Sequence, residues 1–81
     1  MARVLLFGKL RDVAGWRERA VSPAPASLVA LRAFLALDDP DLAAALSGPG
    51  IQAVVNRQIV RGDHPLVAGD EVAFLPPMSG G

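Results

Sequence analysis

The residues of this chain best placed to do chemistry are its last six, Pro76-Pro77-Met78-Ser79-Gly80-Gly81. An apolar, strand-like run, Val72-Ala73-Phe74-Leu75, stops at the proline pair, and the sequence closes on two glycines. Proline fixes φ and offers no N–H to a ladder, so a sheet cannot run on through this segment. Glycine carries no side-chain bulk, which suits Gly80-Gly81 to a narrow passage. Fully extended, such an arm reaches roughly 20 Å at about 3.3–3.6 Å per residue. The expectation is a thin arm tipped by the Gly81 carboxylate, with that carboxylate as the reactive group. A carboxylate is a poor acyl donor because its oxygen does not leave.

The inventory excludes much other chemistry. Eighty-one residues make one small domain, and a composition 52% hydrophobic supplies its core. Without cysteine there is no disulfide, thiolate metal site or cysteine nucleophile, and the single histidine, His64, rules out a multi-histidine metal cluster. Eight basic and eight acidic residues cancel, which argues against an electrostatically driven nucleic-acid binder. No apolar stretch approaches the roughly 20 residues that span a bilayer, and the N-terminus lacks a signal-peptide layout. A cytoplasmic protein with no membrane partner is expected.

Short elements must hold the arm. Arg3 to Phe7 reads as a buried strand closed by Gly8, Lys9 to Gly15 as a loop with a helical turn around Leu10-Arg11-Asp12. Trp16 to Val21 alternates apolar and charged residues, the pattern of a half-exposed strand with Trp16 as a packing residue. Ser27 is a good N-cap for a helix through about Leu37, with Leu28, Leu31 and Leu35 facing the sheet and Arg32 outward. Asp39 and Pro40 can open a short second helix, ended by Ser47-Gly48-Pro49-Gly50. Two strands, Ile51 to Asn56 and Gln58 to Arg61, meet at a tight turn, and Glu71 to Leu75 is the last strand. A main helix between two hairpin-like units must lie across one face of a single mixed sheet of about five strands. With the last strand beside the first and the arm leaving at the sheet's edge, the expected class is α+β, of the β-grasp architecture. Residues 1–75 form the domain and residues 76–81 a flexible tail.

Several stretches together resemble one family. They are Val4 to Asp12 with Gly15, Val55-Asn56, Asp63-His64-Pro65-Leu66, Gly69 to Pro77, and Ser79-Gly80-Gly81. The chain is similar to the MoaD/ThiS family of ubiquitin-like sulfur carriers, in particular to molybdopterin synthase small subunits. The likeness spans the chain, strongest from Val55 onward and weakest from Val21 to Gly50. It implies that Gly81 is adenylated by an E1-like adenylyltransferase of the MoeB family, which consumes ATP. A sulfur donor protein then makes a thiocarboxylate. The arm docks into the large subunit, of the MoaE family, and gives sulfur to cyclic pyranopterin monophosphate, in a heterotetramer. The carrier itself holds no permanent cofactor or metal and is not an enzyme alone. Ser79 and Gly80 would thread the arm, while Pro76 and Pro77 keep it extended.

Period-two alternation sets Leu5 and Phe7 against Val4 and Leu6, and Leu75 against Phe74. A helix covers only one face, so Phe7, Ile59 and Leu75 are expected as an apolar docking patch beside the arm. Arg11, with Lys9 and Arg61, would steer an acidic partner. His64, next to Pro65, suits a local hydrogen bond, and Asp38, Asp39 and Asp41 suit capping rather than calcium. Two other readings stay open. One is a carrier for thiamine or tRNA thiolation, the other a ubiquitin-like modifier joined to lysines. An inert interaction module is the remaining alternative.

Overall fold

The computed structural model describes residues 1–77. Its elements run β1 (Ala2–Leu6), α1 (Lys9–Ala14), β2 (Glu18–Val21), α2 (Leu28–Asp38), α3 (Pro40–Leu46), β3 (Gln52–Val55), β4 (Gln58–Val60) and β5 (Glu71–Leu75). The sheet order is β2-β1-β5-β3-β4, with β1 and β5 parallel and every other pair antiparallel. This is a β-grasp fold of the α+β class. The last strand lies beside the first, as the sequence implied. It is the middle strand, so the arm leaves from the centre of the sheet and not from a lateral edge.

Register explains which face is buried. Leu6, Phe74, Ala53 and Val60 align across β1, β5, β3 and β4, and Val4, Val72 and Val55 align one step behind. Against these rows pack Leu28, Leu31 and Leu35 of α2, Leu42 and Leu46 of α3, and Leu10 of α1. Phe74, fully buried, is the largest of them.

The helix signals work as caps. Ser27 Oγ accepts from the Ala30 N–H at 3.1 Å, and Asp39 Oδ1 accepts from the Leu42 N–H at 3.1 Å with Pro40 beginning α3. Asp38 pairs with Arg19 at 3.1 Å, so the aspartates there do separate work. Asn56 and Arg57 both adopt positive φ, 49° and 70°, in the β3–β4 turn.

Three expectations need correction. Lys9–Ala14 is a full short helix, not a loop: Leu10 is buried, and Gly15 closes the helix in the left-handed region by donating to Arg11 O. Strand β2 starts only at Glu18, and Trp16 lies before it, packed on the core's margin with the Arg19 guanidinium 4.7 Å from its ring centroid. Arg32 does not point outward. Its guanidinium lies 5.1 Å from the Phe74 ring centroid and donates to Leu46 O at 3.0 Å, tying α2 to the end of α3. A long stem at the margin of a helix face can bury its length while its head finds a carbonyl.

Asp70 pins the start of β5. Its carboxylate accepts from the Val67 N–H and from Asn56 Nδ2, both at 2.9 Å, while Asn56 Oδ1 accepts from the Glu71 N–H. The Val67 bond first, then the Asn56 bond, hold this carboxyl below its ordinary pKa. A lowered folded-state pKa gives stability that is complete above the unfolded carboxylate value and fades as pH falls through the lowered one. Asp70→Asn is therefore expected to melt earlier than wild type at neutral pH. The gap should close in acid. A gap in thermal midpoint that is constant across pH would show that the charge of Asp70 contributes nothing.

The exit of the arm and the open sheet face

Strand β5 delivers the arm. It is gripped on both sides, by β1 from Arg3 to Leu6 and by β3 from Gln52 to Val55, and Phe74 anchors it in the core one residue before it ends. Pro76 and Pro77 follow directly, Pro76 half-buried and Pro77 exposed. Neither can extend the ladder, so pairing stops at Leu75. Ser79, Gly80 and Gly81 lie outside the described residues.

The face of the sheet opposite the helices carries an apolar row. Leu5, Ala73, Val54 and Ile59 align across β1, β5, β3 and β4, with Glu18 opposite Leu5 at the β2 edge. Phe7, 46% exposed, follows β1, and Ile59 on β4 is 60% exposed. Leu75 is half-buried on the same face, nearest the arm. At the far end the face turns polar: Arg3 pairs with Glu18 at 2.6 Å and with Glu71 at 3.8 Å. The Glu18 bond, foremost, raises the Arg3 pKa.

The sequence located Phe7, Ile59 and Leu75 but not what joins them. Phe7 and Ile59 belong to opposite flanks, roughly 14 Å apart for three strand spacings of 4.7–4.9 Å. Ala73 and Val54 fill the gap, and the alternation of β3 and β5 was the signal that could have found them. Arg11 is exposed on α1, and with Arg17 and Glu18 it rims a shallow depression floored by Leu5, Leu6 and Phe7. Arg61 instead edges a depression beside Ile59 and Arg32 at the β4 side, so the three basic residues do not form one cluster. His64 Nδ1 lies 2.7 Å from Pro65 O, and since a carbonyl only accepts, this nitrogen is the donor.

Among the described residues, no polar or charged side chain is fully buried. None therefore has the desolvated setting that tunes a general acid or base. No helix among them is long and apolar enough to cross a membrane.

The ThiS family model matches residues 4–81. The chain belongs to the ThiS family. Among relatives of this ThiS-family chain, the molybdopterin synthase sulfur carrier subunit of Escherichia coli (strain K12) is 40% identical over 100% of both chains. The protein of the same name from Haemophilus influenzae is 30% identical, again over 100% of both. The crystal structure of SAMP1, the small archaeal modifier protein 1, from Haloferax volcanii superposes with a TM-score of 0.84 at 29% identity. That match covers 99% of this chain and 98% of the other.

Proposed function

We propose that this protein is the sulfur carrier subunit of molybdopterin synthase in molybdenum cofactor biosynthesis, acting in the cytoplasm. The observation that carries the reading is the 40% identity to the Escherichia coli sulfur carrier subunit, without gaps in coverage at either end.

In this reading the Gly81 carboxylate attacks the α-phosphorus of ATP inside an E1-like activating enzyme, forming the acyl-adenylate and releasing pyrophosphate. A sulfide equivalent from a donor protein displaces AMP and leaves a thiocarboxylate. The charged arm enters the large subunit and passes its sulfur to cyclic pyranopterin monophosphate, and two rounds complete the dithiolene. The carrier supplies the acyl group and a shape; its partners supply the base and the oxyanion stabilisation. The apolar row from Leu5 to Ile59, with Phe7 and Leu75, is the surface proposed to seat the large subunit, and Arg11 to steer it. No cofactor need stay bound.

The test is intact mass of the protein purified from cells with and without the molybdenum-cofactor genes. Replacement of one oxygen by sulfur at Gly81, present only with those genes, is expected. An unmodified terminus in both would overturn the reading. A second reading, a protein modifier, draws on the likeness to SAMP1. It predicts an adduct on a partner lysine that survives thiol treatment, whereas the thiocarboxylate reacts with an alkylating reagent.

A further inference from the structure

Five glycines among the described residues have positive φ: Gly8, Gly15, Gly50, Gly62 and Gly69. In all five, the left-handed region alone favours glycine. Two of them carry a second constraint. A Cβ added to Gly8 would stand 3.0 Å from Pro76 Cγ, with Pro76 Cδ at 3.8 Å and Cβ at 4.0 Å. A Cβ added to Gly50 would meet Pro77 Cβ at 2.7 Å and Cγ at 3.4 Å. At Gly15, Gly62 and Gly69 an added Cβ meets nothing within 4 Å.

The placement of the pair is specific. Gly8 comes two residues after β1, and Gly50 two residues before β3. Those strands are the two neighbours of β5. The first proline of the arm thus rests on bare backbone on one side of its parent strand, and the second on bare backbone on the other.

We infer that Gly8 and Gly50 are positioning residues for the proposed sulfur-carrier chemistry: a two-point seat for the Pro76 and Pro77 rings that aims the arm as it leaves the sheet. The inference rests on the carrier reading. A rigid ring with fixed φ, held against a flat surface, removes rotations at the base of the arm. An arm aimed before docking loses less entropy when its tip enters a partner's channel, and a misaimed one places the carboxyl wrongly for attack. The proline pair then does more than end the ladder, because each ring has a matching gap in the body.

The experiment compares Gly8→Ala, Pro76→Ala, the double variant Gly8→Ala/Pro76→Ala and the control Gly62→Ala with wild type. Thermal unfolding is read beside ATP–pyrophosphate exchange catalysed by the E1-like adenylyltransferase of the protein's own organism. Gly62→Ala imposes positive-φ strain without a neighbour, so it lowers the melting temperature and leaves exchange unchanged. Gly8→Ala is expected to lower kcat/KM on the order of tenfold, because a misaimed arm is both costlier to dock and wrongly placed for attack. Pro76→Ala removes the ring from the same contact and is expected to lower kcat/KM similarly, with the double variant falling no further than either single change because both act on one seat. Equal exchange by Gly8→Ala and Gly62→Ala, or losses that add in the double variant, overturn the seat while the carrier reading stands. Absence of exchange with the wild-type protein overturns the carrier reading, and the seat's role with it.

Discussion

Deletion of Gly80 and Gly81 is expected to abolish thiocarboxylate formation and leave the thermal midpoint unchanged. The buried residues of the body run from Ala2 to Phe74, and the last ladder pair is Gln52 with Leu75. Among the described residues the core is closed by Phe74, ahead of the final two positions. The shortened arm loses roughly 7 Å of reach at about 3.3–3.6 Å per residue. It also ends on a serine, whose side chain must now occupy the place proposed for a bare glycine. An activating site built to hold a terminal carboxyl at attack distance tolerates a displacement of about 1 Å poorly, with losses near a hundredfold. Several ångströms leave no reaction. Gly81→Ala, which keeps length and adds one methyl, is expected to be impaired less severely. Intact mass after incubation with the activating enzyme, ATP and a sulfur donor reads both variants, and calorimetry reads their folds. Normal sulfur incorporation by the truncated chain would remove the arm from the mechanism altogether.

Elements whose determinants are local were legible in the sequence. Strand β5 is an apolar run between Asp70 and Pro76, α2 has a serine cap and leucines at helical spacing, and α3 opens on Asp39-Pro40. Each carries its boundary in its own residues. Helix α1 was missed because six residues give fewer than two turns, and Leu10 is its only fully buried side chain. Periodicity has no room to register there. The inward turn of Arg32 depends on Leu46 and Phe74, which lie far away in sequence. The same holds for the site. Alternation sorted Phe7 and Leu75 from Leu6 and Phe74, but the alignment of Leu5, Ala73, Val54 and Ile59 is a property of register. The match of Gly8 to Pro76 and of Gly50 to Pro77 joins segments separated by most of the chain and by a third of it. No local pattern encodes it, although the glycines and prolines are plain to see.

Phe74 and Phe7 should give opposite phenotypes, and the contrast tests whether the open face docks a partner. Phe74 is 0% exposed, in line with Leu6 and Ala53, with the Arg32 guanidinium over its ring. Its truncation to alanine is expected to cost about 3–5 kcal/mol through lost burial and the cavity left behind. A domain of this size holds about 4–12 kcal/mol in total at roughly 0.05–0.15 kcal/mol per residue. Phe74→Ala should therefore be largely unfolded or melt far below wild type. Phe7 is 46% exposed and lies just past the end of β1, so Phe7→Ala removes fewer contacts within the body. Its thermal midpoint should fall by only a few degrees, at about 4–8 °C per kcal/mol for a domain this small. Its association with the large synthase subunit should weaken by about 2 kcal/mol, the loss that marks an aromatic hot spot. Ile59→Ala, on the opposite flank of the same row, should weaken association less because its aliphatic side chain offers less contact area than an aromatic ring. Titration calorimetry with the large subunit, set beside thermal melts of each variant, measures both quantities. If Phe7→Ala destabilises the free protein more than it weakens the complex, Phe7 is a core residue. The open face would then have to find its partner through Leu5, Ala73, Val54, Ile59 and Leu75.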